Sequence, residues 1–123
     1  QIPKHEKFDL VVSNPPNYCN IQKSHPLGFL REDLRPSDID WKIHKDFYNN
    51  IGDYLNDNAE MFISEVDPYS KNFYLNGELY DKRPEIPMKD FKHMTKSNNL
   101  AIKHVIPYSV EDTECYVLEI SKI

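Results

Sequence analysis

Two hydrogen-bond acceptors that follow an apolar run are the groups of this chain best suited to chemistry. Residues 8–18 read FDLVVSNPPNY, and Asn14 lies where the apolar run gives way to two prolines. The side-chain oxygen of Asn14 and the backbone oxygen of Pro15 can each accept a hydrogen bond. Two acceptors placed at the two N–H groups of a planar amide or amine orient its nitrogen and make it more nucleophilic. Positioning of this kind can supply much of a rate enhancement without a dedicated base.

The stretch that carries these groups predicts a strand followed by a stiff loop. Residues 8–12 form a short apolar run, which suits a parallel strand that is covered on both faces. Pro15 and Pro16 cannot donate to a ladder, so the strand ends before them. Because open α/β sheets bind ligands at the carboxyl ends of their strands, we expect the loop to lie at a binding site.

The run FDLVVSNPPNY resembles the (D/N)PP(Y/F/W) signature of class I S-adenosylmethionine-dependent methyltransferases that modify nitrogen. It is most similar to the release-factor glutamine methyltransferases and the methyltransferase small domain. The resemblance implies that Asn14 and Pro15 are catalytic, that Asn14 also borders the cofactor, and that Pro16, Asn17 and Tyr18 contact the substrate. Asn17 stands where the family has an aromatic residue. Either Tyr18 stacks on the target from one position later, or the target is not a flat base.

The 123 residues lack the glycine-rich loop with which this family opens its cofactor site, since the three glycines are isolated. The resemblance therefore implies an α/β fold: the second half of a Rossmann-like class I methyltransferase sheet, with flanking helices and a closing antiparallel strand pair. We interpret residues 1–123 as a single domain, the carboxyl-terminal half of a methyltransferase. We expect this half by itself to be inactive and to bind S-adenosylmethionine weakly or not at all.

Apolar periodicity predicts the elements that follow the loop. Residues 37–55 have helical spacing, with Ser37 and Asp40 resembling a capping box. His44 lies beside the apolar stripe, so we expect it at the surface or its boundary. The predicted core stripe consists of Ile43, Phe47, Ile51 and Leu55.

Further along the chain, the pattern alternates between strands and one more helix. Glu65 lies near the end of a predicted strand, where we expect it to face solvent. Asn76 and Gly77 indicate the tight turn of a small hairpin. The predicted elements are a strand at 59–66, a helix at 87–99, and strands at 100–107 and 114–123.

Charge and composition bear on the substrate. The net charge of −5 argues against a large phosphate-binding surface. We therefore favour a protein amide or a small molecule as the substrate. An RNA or DNA base methyltransferase is the first alternative, and a non-catalytic, partner-binding module that retains the fold is the second.

Composition also bears on metal binding and location. The cysteines Cys19 and Cys115 and the histidines show no metal-ligand spacing, so we predict no metal. No apolar run approaches transmembrane length, and we expect a cytoplasmic protein without membrane partners.

Overall fold

A computed structural model describes residues 2–17, 20, 38–66, 72–82, 87–110 and 113–123. In these ranges the chain forms a four-stranded mixed sheet, two α-helices and a separate two-stranded hairpin. The elements in chain order are β1 (Phe8–Ser13), a 3₁₀ turn (Ile39–Trp41), α1 (Lys42–Ile51), a second 3₁₀ turn (Gly52–Tyr54), β2 (Leu55–Val66), β3 (Asn72–Leu75), β4 (Glu78–Lys82), α2 (Pro87–Lys96), β5 (Leu100–Val110) and β6 (Thr113–Lys122).

The sheet has the strand order β1-β2-β6-β5. β1 and β2 are parallel, whereas β6 runs antiparallel to both of its neighbours, β2 and β5. The last strand is therefore inserted between β2 and the strand that precedes it in the chain. This arrangement confirms the predicted α/β class and its closing antiparallel pair.

One face of the sheet is covered by the two helices. Met61, Ile63, Leu118 and Ile120 alternate along β2 and β6 onto this face, and each is at most 1% exposed. Tyr48 of α1 and Phe91 and Met94 of α2 complete the same buried cluster. Removing a side chain of this size from water stabilises the fold by roughly 1.5–3 kcal/mol, so this face is the core of the described chain.

The other face of the sheet carries exposed apolar side chains, and β1 shows this most clearly. Leu10 is 57% and Val12 is 71% exposed, while Val11 between them packs against the core. The prediction that this strand is covered on both faces is wrong for the structure described. β1 lies at one end of the strand order, and no described helix packs on its Leu10 and Val12 side.

The helix after the loop is shorter than predicted and is rotated about its axis. Its buried side chains are His44 and Tyr48, preceded by the buried Trp41. Ile43, which the stripe places in the core, is 42% exposed, and Leu55 is buried as the first residue of β2. The predicted stripe is therefore wrong for Ile43, whereas Phe47 and Ile51 do pack against the core. The stripe missed His44, because a hydrophobic pattern does not reveal a polar residue on the buried side of a helix.

The predicted hairpin is present, since β3 pairs antiparallel with β4. Asn76 and Gly77 between them have φ angles of 52° and 79°, and a tight two-residue hairpin turn requires such positive values. Within the ranges that the structure describes, no helix combines the length and apolar character needed to cross a bilayer.

Candidate active site at the rim of the sheet

The Asn-Pro-Pro loop leaves the sheet where two parallel strands end side by side. Ser13, the last residue of β1, pairs with Ile63 of β2. Asn14 follows at once and is exposed, whereas Pro15 and Pro16 are half-buried. The carboxyl ends of parallel strands are the usual ligand site of open α/β sheets. The Asn14 side chain is therefore accessible at the position where such a fold binds its ligands.

A cavity of about 200 Å³ lies beside this loop, and its wall is mostly apolar. Ligand pockets typically measure about 300–1,000 Å³, so the cavity formed by the described residues has room for one chemical group of a ligand and not for a whole cofactor. The cavity joins the loop to α1 and β2: its lining residues are Ser13, Pro15, Pro16, Ile43, His44, Phe47, Tyr48 and Ile63.

A second cavity, of about 220 Å³, shares no lining residue with the loop. It lies between the start of α1 and α2 and includes Lys45, Asp90 and His93. In the parts of the chain that are described, no three His, Cys, Asp or Glu side chains are grouped so that they could hold a metal ion. Because the Asn-Pro-Pro loop lines the first cavity and not the second, we take the first as the candidate site.

A buried histidine bracketed by two carboxylates forms part of the wall of the loop cavity. His44 Nδ1 lies 2.5 Å from Asp38 Oδ2, and His44 Nε2 lies 2.7 Å from Glu65 Oε1. Each of the three side chains is at most 2% exposed. Glu65 stands near the carboxyl end of β2, two residues beyond the partner of Ser13, so the three groups tie α1 to the rim of the sheet.

The surroundings of His44 favour its charged form. Burial lowers the pKa of His44, but the charge of Glu65 and the hydrogen bonds to Asp38 and Glu65 outweigh burial and raise the pKa to about 9. Burial raises the pKa of Asp38, but hydrogen bonds from His44 and from the amides of Ile43 and His44 outweigh it and leave the pKa below its ordinary value. These contacts favour the imidazolium form of His44 at neutral pH.

This protonation state decides what His44 can do chemically. Both of its ring nitrogens carry protons that they donate to carboxylates, so neither nitrogen is available to remove a proton from a ligand. The carboxyl groups 2.5 and 2.7 Å away offset the charge of the imidazolium, so this cluster brings no net positive charge to the cavity wall. His44 is not a general base for a group bound there.

Asp38 also fixes the start of α1. Its carboxylate accepts hydrogen bonds from the backbone N–H groups of Ile43 at 2.6 Å and His44 at 2.9 Å, so it caps this helix, where the sequence predicted a capping box of Ser37 and Asp40. Ser37 lies outside the described residues. Asp40 and Trp41 adopt φ angles of 55° and 57° to turn the chain into the helix, a conformation that is uncommon for residues other than glycine.

Asn17, another residue of the predicted site, is less exposed than Asn14. Asn17 is 9% exposed, and its side-chain oxygen has no hydrogen-bond partner in the ranges described. Tyr18, the predicted stacking ring, lies outside the described residues. The buried hydroxyl of Tyr48 likewise has no hydrogen-bond partner there, and burial together with the charge of Glu65 raises the pKa of Tyr48.

Sequence reasoning missed the buried network. The expectation that His44 lies at the surface or its boundary is wrong, because both of its carboxylate partners are brought to it by the fold. The expectation that Glu65 faces solvent is also wrong, since it is 1% exposed. The sequence did contain a signal for the burial of Glu65. Residues two apart on a strand share a face, and Glu65 follows the apolar Met61 and Ile63 in that alternation.

No protein-family model matches the sequence, and no curated protein is significantly similar to it. Solved structures do share its fold. The mitomycin 7-O-methyltransferase MmcR superposes with a TM-score of 0.52 and 11% identity, over 100% of this chain and 31% of MmcR. LepI, solved in complex with SAM, gives a TM-score of 0.53 and 10% identity, over 96% of this chain and 27% of LepI.

These comparisons define the class of fold. The chain has a mixed α/β fold like that of an S-adenosylmethionine-dependent methyltransferase, and it spans less than a third of the length of either neighbour. Identities this low indicate shared architecture and do not identify a substrate.

The loop and cavity fit one part of an S-adenosylmethionine site. The cavity holds a group and not the whole cofactor, and the exposed Asn14 lies beside it.

Proposed function

We propose that this chain is part of an S-adenosylmethionine-dependent methyltransferase that methylates a nitrogen atom. One observation carries the proposal. Asn14 is exposed at the carboxyl ends of two parallel strands, beside a cavity, in a fold that a methyltransferase shares. The sequence motif assigns the same residue to the same role.

S-adenosylmethionine supplies a methyl group on a positively charged sulfur. In the proposed site, the Asn14 side-chain oxygen and the Pro15 backbone oxygen accept the two N–H bonds of a planar amine or amide. These hydrogen bonds turn the nitrogen lone pair towards the methyl group. When bound, the cofactor would supply the methyl group, and Asn14 and Pro15 would hold the acceptor nitrogen by its two N–H groups.

The hydrogen bonds of His44 are compatible with a nitrogen target, which needs no base at this wall of the cavity. Methylation of a hydroxyl group usually requires a base to remove its proton. His44 lines the cavity, but its two nitrogens already donate to Asp38 and Glu65. The acceptor pair of the loop needs no such base, because it works on a nitrogen that still carries its protons.

The substrate we propose is a small molecule or a protein amide in the cytoplasm. The net charge of −5 supports this choice over a nucleic acid, whose phosphates bind to basic surfaces.

The proposal is tested by replacing Asn14 with alanine in the gene product that carries this chain. We expect Asn14→Ala to lower the turnover of methyl transfer at least about 100-fold, the scale on which a single positioned hydrogen-bonding group acts. Cofactor affinity should change much less, because the substrate is what Asn14 holds in place. Transfer of labelled methyl groups to amides and aromatic amines gives turnover, and calorimetry gives cofactor affinity.

Asn58 provides a matched control, since it is also an exposed asparagine and lies on β2 near the other end of the strand. Asn58→Ala should leave turnover unchanged. An Asn14→Ala enzyme with wild-type turnover would rule out the acceptor role. A wild-type gene product that methylates no nitrogen would favour the non-catalytic, partner-binding alternative.

A further inference from the structure

The Asn-Pro-Pro loop is attached to the fold both before and after its prolines. On the near side, Ser13 of β1 pairs with Ile63 of β2. On the far side, the backbone of Asn20 contacts β4. Its N–H donates to Asp81 Oδ1 at 2.5 Å, and its carbonyl oxygen accepts the N–H of Lys82 at 3.0 Å. The two attachments enclose the short segment that carries both proposed acceptors.

Asp81 gives the far attachment its strength. This residue is fully buried, and it lies on the β3–β4 hairpin, which forms a sheet of its own. A carboxyl group removed from water needs hydrogen-bond partners inside the protein, because its lost hydration is otherwise uncompensated. The N–H of Asn20 is one such partner. Hydrogen bonds to a carboxylate are stronger than those between neutral groups, so Asp81 holds Asn20 more firmly than a backbone carbonyl would.

The segment between the attachments has little conformational freedom. The rings of Pro15 and Pro16 fix their φ angles at about −65°, and Asn14 is restricted to extended backbone because it precedes a proline. Asn17 is buried. With so few adjustable torsions in the loop, the direction of the Asn14 side chain depends on where Asn20 is held.

We propose that Asp81 is a positioning residue for methyl transfer: it holds Asn20 and thereby keeps the oxygen atoms of Asn14 and Pro15 aimed at the acceptor nitrogen. The inference rests on the proposed function and adds a residue that acts through the loop. Catalysis by positioning is sensitive to small displacements, since a misplacement of about 1 Å can cost about 100-fold in rate.

Two substitutions of Asp81 test this role in the gene product that carries the chain. Asp81→Ala removes the acceptor and should lower the turnover number about 10–100-fold, with the KM for the cofactor within about threefold of wild type. Asp81→Asn keeps an oxygen that can accept the same N–H, so its turnover should stay within about threefold of wild type. Glu78→Ala, at an exposed position of the same strand, should change neither quantity. Transfer of labelled methyl groups measures all of them.

A double-mutant cycle separates positioning from a general loss of structure. In an Asn14→Ala background, one of the two groups that Asp81 positions is already absent. The factor by which Asp81→Ala lowers turnover should therefore be at least about threefold smaller there than in the wild-type background. A general loss of structure would lower turnover by the same factor in both backgrounds.

Hydrogen exchange tests the contact without methyl transfer. Asp81→Ala should speed exchange of the Asn20 amide at least about tenfold, because this amide loses a hydrogen bond to a carboxyl group. The amide of Ile63 in β2 should not respond. Mass spectrometry with single-residue resolution compares the two amides.

An unchanged exchange rate for Asn20, wild-type turnover in Asp81→Ala, or equal factors in the two backgrounds would each overturn the inference. The two proposals can fail separately. If the wild-type gene product methylates no nitrogen while the Asn20 amide responds to Asp81→Ala, the proposed function is at fault. If Asn14→Ala abolishes turnover and Asp81→Ala does not lower it, the positioning role is at fault.

Discussion

On each side of the sheet lies a histidine paired with a carboxylate, His44 on α1 and His104 on β5, and the two pairs differ in almost every physical respect. On the face covered by helices, His44 is 2% exposed and contacts Asp38 and Glu65. On the open face, His104 of β5 lies 2.8 Å from Glu119 of β6, and its side chain is 70% exposed. The register places His104 and Glu119 in one row with Phe62 and Val12.

The comparison shows that burial determines how much a histidine–carboxylate pair contributes to stability. Around His104, water competes with Glu119 for the same hydrogen bond, and exposed pairs of this kind contribute about 0–1 kcal/mol to stability. Around His44, removing the cation leaves two buried carboxylates without their partner, which is strongly destabilising. Only the buried pair can hold the cavity wall and the rim of the sheet in a fixed arrangement.

Replacing each histidine with alanine should give the largest contrast. We expect His44→Ala to lower the free energy of unfolding by about 3–5 kcal/mol, the usual cost of breaking a buried ion pair. His104→Ala should lower it by less than about 1 kcal/mol. Urea unfolding followed by circular dichroism measures both. Similar losses for the two variants would show that the faces do not differ in the way described.

Isoleucines on the two faces give the next largest effect. Ile63→Ala on the covered face should destabilise the chain by about 2–5 kcal/mol, because it leaves a cavity in a packed cluster. Ile106→Ala on the open face removes a side chain that is already 44% exposed, and we expect a loss of less than about 1 kcal/mol. The same unfolding experiment compares them, and an Ile106→Ala loss equal to that of Ile63→Ala would indicate that the open face is packed in solution.

The pH dependence of stability should report the buried pair. Because folding raises the pKa of His44 to about 9, its contribution is complete below about pH 6.5, the unfolded value, and is lost as the pH rises towards 9 and beyond. We expect the free energy of unfolding to fall by roughly 2–4 kcal/mol over that window. His44→Gln should remove this fall. A wild-type chain with constant stability from pH 6.5 to 9.5 would contradict a charged His44.

Asp38 should add a separate loss of stability at low pH. Its pKa is lowered by folding, so its contribution is present above its ordinary pKa and is lost as the pH falls through the lowered value. Unfolding measured between pH 5 and 2 should therefore show a decrease that Asp38→Asn reduces.

Adjacent valines of β1 provide the smallest expected effect. Val12 is 71% exposed on the open face, so Val12→Lys should change the free energy of unfolding by less than about 0.5 kcal/mol. It should also reduce self-association in light scattering, since a charge on an edge strand opposes strand pairing between chains. Val11→Lys is the control that must destabilise, because Val11 packs against the core.

Much of the fold could be predicted from local patterns. The Asn76–Gly77 hairpin, the helix that begins at Pro87 and the closing strand pair follow from turn chemistry, proline placement and alternation. These signals are local and act over a few residues. The helix at 42–51 was predicted, and Phe47 and Ile51 do pack against the core. The burial of His44 was not predicted, because the pattern gave this residue no reason to be buried.

The candidate site divides in the same way. The sequence by itself determined that β1 ends before Asn14, Pro15 and Pro16, because proline has no N–H group to continue the hydrogen bonds of a strand. Tertiary structure alone decided that Asp38, His44 and Glu65 meet, since the burial of each charge depends on partners 6 and 21 residues away. A pattern of neighbouring residues cannot show which distant side chains will become partners of a buried charge. The desolvation of a charge is offset only by groups that the completed fold brings within hydrogen-bond distance.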